Sequence, residues 1–214
     1  MRTIYIVPLF LLSTFLIAQE PLVSDSLNQG QEEYMEKVKR FSLGAKLGIP
    51  NLAGGSIEVV LPLFQNRLAP YFDYSQFSVN LDSSESSLSY SELGANIYFN
   101  DKGKGFFVGL GSARMNADVL FTDLVFSEDG VTTSGSGSTD LNLNTFNVKL
   151  GIKSGGTFFF RFEVGYGLGS IPDQLTFTAT SQGITEQFTE DIPAIPGIGT
   201  NGLLIGNIGF GLSF

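Results

Sequence analysis

The residues that could carry chemistry in this chain are a small set of acids and bases inside apolar segments: Lys46, Glu58, Glu92, Lys149, Arg161 and Glu163. Three bases and three acids brought together would form an ion-pair network. Such networks hold structure when every charge is paired, and they also shift proton affinities. Two uses stay open on the residues alone, a structural plug and a gate or proton-linked site. Much other chemistry is excluded by what is missing. The 214 residues include no His and no Cys. That removes the Ser-His-Asp triad, a His general base, imidazole metal sites, thiolate nucleophiles, disulfides and the usual structural zinc. Only carboxylate catalysis remains available, so the reading is a non-enzymatic protein with no cofactor and no dedicated metal site. The acids Asp118, Asp123, Glu128, Glu186, Glu190 and Asp191 are candidates for loose contact with divalent cations at a lipid surface, but none has EF-hand spacing. A formal charge of -9 argues against a nucleic-acid partner, which needs a basic face.

The elements that must position those charges read as β-strands. Charged residues make up 15% of the chain, against about 25% in soluble domains, and Gly and Phe number 26 and 20. Successive side chains of a strand point to opposite faces, so a barrel wall in lipid alternates apolar with small or polar residues. TFFFRFEVGYGLGS (157–170) does so: Phe158, Phe160, Phe162, Val164, Tyr166 and Leu168 share one face, while Phe159, Arg161, Glu163, Gly165, Gly167 and Gly169 share the other. The same alternation predicts strands over 40–49, 55–64, 68–79, 88–100, 144–154 and 203–214, and one starting at Gly105. Pro70 and Gln76 blur the phase of the third strand. The fifth loses phase near Ser112–Arg114, which predicts a bulge or the edge of the membrane there. The fold class expected is all-β, an eight-stranded antiparallel up-and-down transmembrane β-barrel spanning 40–214.

Connection lengths agree. Bacterial barrels alternate short periplasmic turns with longer external loops. The second, fourth and sixth connections are short (65–69, 100–105, 154–156), and the long ones, 118–140 and 171–202, fall fifth and seventh. Phe41, Phe99, Phe106, Phe158 and Phe214 are expected as an outward girdle at the periplasmic rim, with Phe77, Tyr90, Phe146 and Tyr166 at the other. Eight strands leave an interior that side chains can fill. The six charges would meet there near mid-height, with Asn96, Asn147 and Asn207 satisfying remaining donors and acceptors. On this arrangement, replacing Arg161 or Glu163 singly destabilises the barrel, and exchanging the two costs much less. Residues 1–18 have one base, Arg2, followed by an apolar stretch of signal-peptide length, with an uncleaved anchor as the alternative. Residues 19–39 read as a periplasmic tether.

The last strand, LLIGNIGFGLSF, alternates and ends on Phe214. On that strand and the alternation of 40–214, the chain resembles the small eight-stranded outer-membrane barrels of the OmpA/OmpX type. The resemblance implies the outer membrane of a Gram-negative-type bacterium, contact with outer-membrane lipid, and a terminal signal at Phe210, Leu212 and Phe214 read by the barrel-assembly machinery. In barrels of that type protruding sheet is associated with cell-surface contacts. Here VLFTDLVF through LNLN, and QLTFTATSQGITEQFTEDI, read as hairpins continuing beyond the membrane, either as partner-binding elements or as stalks. The expected function is structural or surface-interacting, with a plugged lumen and a surface protein as partner. The alternative is a porin-like narrow channel or a carrier for a small or lipophilic solute, with IPAIPGIG (192–199) folding over the mouth.

Overall fold

The computed structural model describes residues 37–81, 84–128, 131–172, 174–181, 184–191 and 198–214. The expected signal peptide, most of the tether, and residues 192–197 of the expected mouth segment lie outside the described residues. The described chain runs β1 Phe41–Ile49, β2 Leu52–Val59, β3 Leu68–Leu81, β4 Ser84–Tyr98, β5 Gly105–Glu128, β6 Val131–Lys153, β7 Phe158–Leu168, β8 Gln174–Ser181, β9 Ile184–Asp191, β10 Ile198–Gly199 and β11 Gly202–Ser213. Strands β1 to β7 pair in sequence, all antiparallel; β7 pairs β11, and β11 returns to β1 from Ser42↔Ser213 to Ile49↔Gly206. The fold is therefore a closed, all-β, eight-stranded antiparallel barrel.

Its geometry follows from the register. Starting at Leu43, the partners run Ile57, Phe72, Leu93, Ser112, Phe146, Leu168 and Gly202. Gly202 stands above Gly206, the partner of Ile49, so the circuit returns well above its start. A shear of about ten residues over eight strands tilts them by roughly 40° and leaves an interior only side-chain wide. The 11 residues of β7 then span about 25 Å of height. Along that height the outer face is apolar and exposed, with Phe158 at 75%, Phe160 at 69% and Leu150 at 59%. Among the described residues, no helix is long and apolar enough to cross a membrane; strands are a separate matter.

One rim is made by the connections 60–67, 99–104 and 154–157, here the lower rim. β2 stops at Val59 because Pro62 follows and cannot donate to a ladder. Phe64, Gln65 and Asn66 then turn with φ of 48°, 59° and 59°, a single left-handed turn. At the other rim, Pro50 and Asn51 close β1 onto β2, while β3 to β6 run on above the barrel. The two expected hairpins are present there. β5 and β6 pair out to Glu128↔Val131, and β8–β9 pairs from Gln174↔Asp191 to Ser181↔Ile184 and docks on β6 at Ser136↔Thr180.

Several expectations need correction. The second strand runs from Leu52 to Val59, not 55–64, so Leu61 and Leu63 belong to a connection. The third keeps strict phase through Pro70, with Tyr71, Asp73 and Ser75 buried. No bulge occurs at Ser112–Arg114; pairing is continuous there, both residues face outward, and the register shifts at Phe121/Leu124 instead. The lower aromatic girdle stands as expected, and of the upper one Phe146 and Tyr166 face outward while two expected members do not. Tyr90 is buried inside the barrel, Phe77 lies on the inner-facing side of β3 above the rim, and Tyr74 occupies the outer position.

Candidate functional site

The inward faces of β1, β2, β3, β4, β6 and β7 contribute charges to one continuous layer. All six predicted residues lie within it, each no more than 2% exposed. Two charges that the sequence reading did not include complete the layer, Asp73 from β3 and Lys153 from β6. The layer therefore holds four bases and four acids.

It divides into two tiers. In the lower tier Glu58 is the central acceptor. Its carboxylate lies 2.7 Å from Lys153 Nζ and 2.6 Å from Arg161 Nη2, and it accepts from Asn96 Nδ2 at 2.6 Å and from the Tyr98 hydroxyl at 3.0 Å. Lys153 also donates to Ser42 Oγ at 2.7 Å and sits 4.8 Å above the Phe159 ring. Arg161 lies 5.5 Å from the same ring and 5.6 Å from that of Phe107. In the upper tier Lys46 Nζ reaches Asp73 Oδ2 at 2.5 Å and Glu163 Oε2 at 2.8 Å. Lys149 Nζ lies 3.0 Å from Glu92, 3.5 Å from Glu163 and 3.9 Å from Asp73, with the Tyr71 ring 4.4 Å away. Its protons are not well aimed at any one acceptor, so this contact is Coulombic more than directional. Tyr71 and Tyr90 each donate to Glu92, at 2.5 and 2.7 Å. Arg161 Nη1 and Glu163 Oε1, 3.8 Å apart, join the tiers.

Asn96, Asn147 and Asn207 all face this layer. Asn96 serves Glu58, Asn147 Nδ2 donates to the Tyr90 hydroxyl at 3.0 Å, and Asn207 Nδ2 meets Glu163 at 3.5 Å. The inward glycines make room for the long side chains. A Cβ on Gly111 would stand 2.6 Å from both Glu92 Oε1 and the Tyr71 hydroxyl, and one on Gly109 would stand 2.8 Å from Asn96 Oδ1. Glycine here is a demand of volume.

Apolar clusters bound the layer. Val60, Ala69, Tyr98 and Phe107 pack below it, with Val38 against them. Leu143, Ile171, Leu203 and Ile205 pack above it, flanked by Met115 and Leu141. Desolvating an ion costs several kcal/mol, which only close pairing and added hydrogen bonds offset. The dense pairing answers that need. Sequence signals for the two missed charges exist. Lys153 repeats Lys149 four residues on, hence on the same strand face, and Asp73 is two from Tyr71 and Ser75 once phase is carried through Pro70.

On this geometry the exchange of Arg161 and Glu163 is expected to cost more than a single replacement, not less. Each has its nearest partners elsewhere, so an acid at 161 would face Glu58 and a base at 163 would face Lys46 and Lys149. Among the described residues no group of three His, Cys, Asp or Glu is placed to hold a metal. Phe210, Leu212 and Phe214 line the outer face of β11 and its end, exposed.

No protein-family model matches the chain, and no curated protein does. Among solved structures it is similar to the crystal structure of Acinetobacter baumannii CarO, at 14% identity and a TM-score of 0.44, over 82% of this chain and 98% of that chain. A likeness that distant carries no assignment, and the barrel stands on its own register.

Proposed function

We propose that this chain is a non-enzymatic outer-membrane β-barrel of a Gram-negative-type bacterium, its lumen plugged by side chains and its work done by the protruding sheet of β3–β6, β8 and β9. The observation that carries this reading is the filled interior: eight buried, mutually paired charges between two apolar clusters. An exposed apolar wall about 25 Å high supports the membrane setting. On this reading the periplasm lies at the lower rim, outer-membrane lipid surrounds the wall, and a surface protein meets the hairpins. Phe210, Leu212 and Phe214 present the terminal pattern to the barrel-assembly machinery. Insertion is tested by migration on an SDS gel with and without boiling, where an inserted barrel runs faster unheated. The plug is tested in planar bilayers: no stable conductance steps are expected from inserted protein, and steady open-pore steps would refute it.

A second reading rests on a different surface. Phe77 and Val79 are exposed on the inner side of the protruding sheet, the side that half-buried Met115 and Leu141 share by alternation. These apolar side chains suit a lipophilic solute, and a lipid retained through purification and lost in Phe77→Asp would favour it.

A further inference from the structure

Outside the lumen, the described bases are sorted by height. Lys37, Lys39, Arg40, Arg67, Lys102 and Lys104 all lie in or beside the connections at the lower rim, where Asp101 is the one acid among the described residues. Beyond the other rim the pattern reverses. Glu85, Asp118, Asp140 and Asp191 stand on the protruding strands, and Arg114 is the one base among the described residues. Solubility alone does not require such sorting.

Several rim bases are held in place by the barrel edge. Lys39 Nζ donates to Thr157 Oγ1 at 2.7 Å and to the Ser213 carbonyl at 3.3 Å, and Arg40 Nη1 donates to the Val60 carbonyl at 3.3 Å. The Arg67 carbonyl accepts from Tyr98 N at 2.8 Å, and the Lys104 side chain runs beside Gly155 of the β6–β7 connection. The bases thus precede β1, β3 and β5 and reach toward β7, spreading around the circumference. Directly above them stand the exposed rings of Phe41, Phe99, Phe106, Phe158 and Phe214. Aromatic rings of this kind settle at headgroup level in a bilayer. Cations just beyond them would lie at the depth of the lipid phosphates.

We propose that the lower rim is a collar for anionic phospholipid headgroups of the phosphatidylglycerol class, in the leaflet that surrounds it. A ring of charge fits a leaflet, which meets the barrel on all sides, better than a protein partner, which would favour a single patch. Each base near a membrane surface attracts anionic lipid, an effect screened within a Debye length. The collar rests on the membrane-spanning reading above.

The test reconstitutes the full chain in phosphatidylcholine bilayers carrying spin-labelled phosphatidylglycerol or spin-labelled phosphatidylcholine, and measures by electron paramagnetic resonance the fraction of each label held at the barrel. Labelled phosphatidylglycerol is expected to be preferred about threefold at low salt, with near parity at high salt. Near parity is also expected in Arg40→Gln/Arg67→Gln/Lys102→Gln/Lys104→Gln, whereas Glu85→Gln/Asp118→Asn/Asp140→Asn keeps the preference. If the quadruple variant does not insert, the salt titration of the unaltered chain decides. Equal restriction of both labels by inserted protein at low salt would overturn the collar and leave the membrane reading standing. No restricted component from either label would overturn both.

Discussion

The two tiers of the lumen use the same residue types under opposite conditions. In the lower tier a single carboxylate, Glu58, serves two cations, and the next acid within reach of Arg161 is Glu163 at 3.8 Å. In the upper tier three carboxylates surround two lysines, each of which contacts at least two of them. The lower tier carries one excess positive charge and the upper one excess negative. Donors are plentiful below, where Glu58 has four partners, and scarce above. Asp73 Oδ1, Glu163 Oε1 and Asn207 Oδ1 above have no hydrogen-bond donor among the described residues, against Asn96 Oδ1 alone below. The cost of a substitution therefore depends on what the tier lacks: acids are irreplaceable below, and donors above.

The largest expected effect tests the assignment of partners. The exchange Arg161→Glu/Glu163→Arg puts an acid beside Glu58 and a base between Lys46 and Lys149, so like charges meet in both tiers. We expect no heat-modifiable barrel, a loss beyond the about 3–5 kcal/mol of a single broken buried pair. Wild-type-like migration would show that Arg161 and Glu163 serve mainly each other. Next, Glu58→Gln leaves buried Lys153 without an acid and Arg161 with only Glu163 at 3.8 Å, and should cost about 3–5 kcal/mol. Glu163→Gln leaves Lys46 with Asp73 and Lys149 with Glu92, so its cost should be lower, about 2–3 kcal/mol. Urea titrations of inserted protein, followed by the unheated band, rank the two. The reverse order would break the comparison.

How much of this was legible in the sequence depends on what interrupts the alternation. β7 carries six outward apolar residues without a break, and its boundaries, faces and two charges could all be read. β3 could not be read as clearly, because Pro70 and Gln76 fall on the outward face among apolar neighbours. Losing phase there hid Asp73, Tyr71 and the donor set of Glu92. Tyr90 shares parity with Glu92, yet its aromatic character suggested a girdle; the buried carboxylate beside it decides otherwise, since a phenol can donate and a bare ring cannot. Pairwise partners were beyond reach. Arg161 and Glu163 are two apart on one strand, but side chains crossing a narrow lumen meet partners from opposite walls, and that depends on shear, which no single strand encodes.

Smaller changes sharpen the contrast. Gly111→Ala pushes a methyl group against Glu92 and the Tyr71 hydroxyl, in the tier already short of donors, and should cost about 1–3 kcal/mol by overpacking. An unchanged urea midpoint would mean that this part of the lumen is looser than its packing indicates.

The finest test compares two hydroxyl deletions. Tyr90→Phe removes one of the two phenol donors to Glu92 and strands Asn147 Nδ2, so it should cost about 1.5–3 kcal/mol, as for hydrogen bonds to charged groups. Tyr98→Phe removes a donor from Glu58, which still keeps Lys153, Arg161 and Asn96; the long contact from Arg161 Nη2 to the hydroxyl, at 3.5 Å, is lost but that nitrogen keeps Glu58, and the ring stays against Phe107. Its cost should be no more than about 0.5–1.5 kcal/mol. The two substitutions delete the same atom from the same residue type at similar burial, so local chemistry cancels between them. A larger loss for Tyr98→Phe would mean that donor supply does not separate the tiers, and that the excess positive charge below makes the phenol's orientation toward Glu58 matter more than its number of companions.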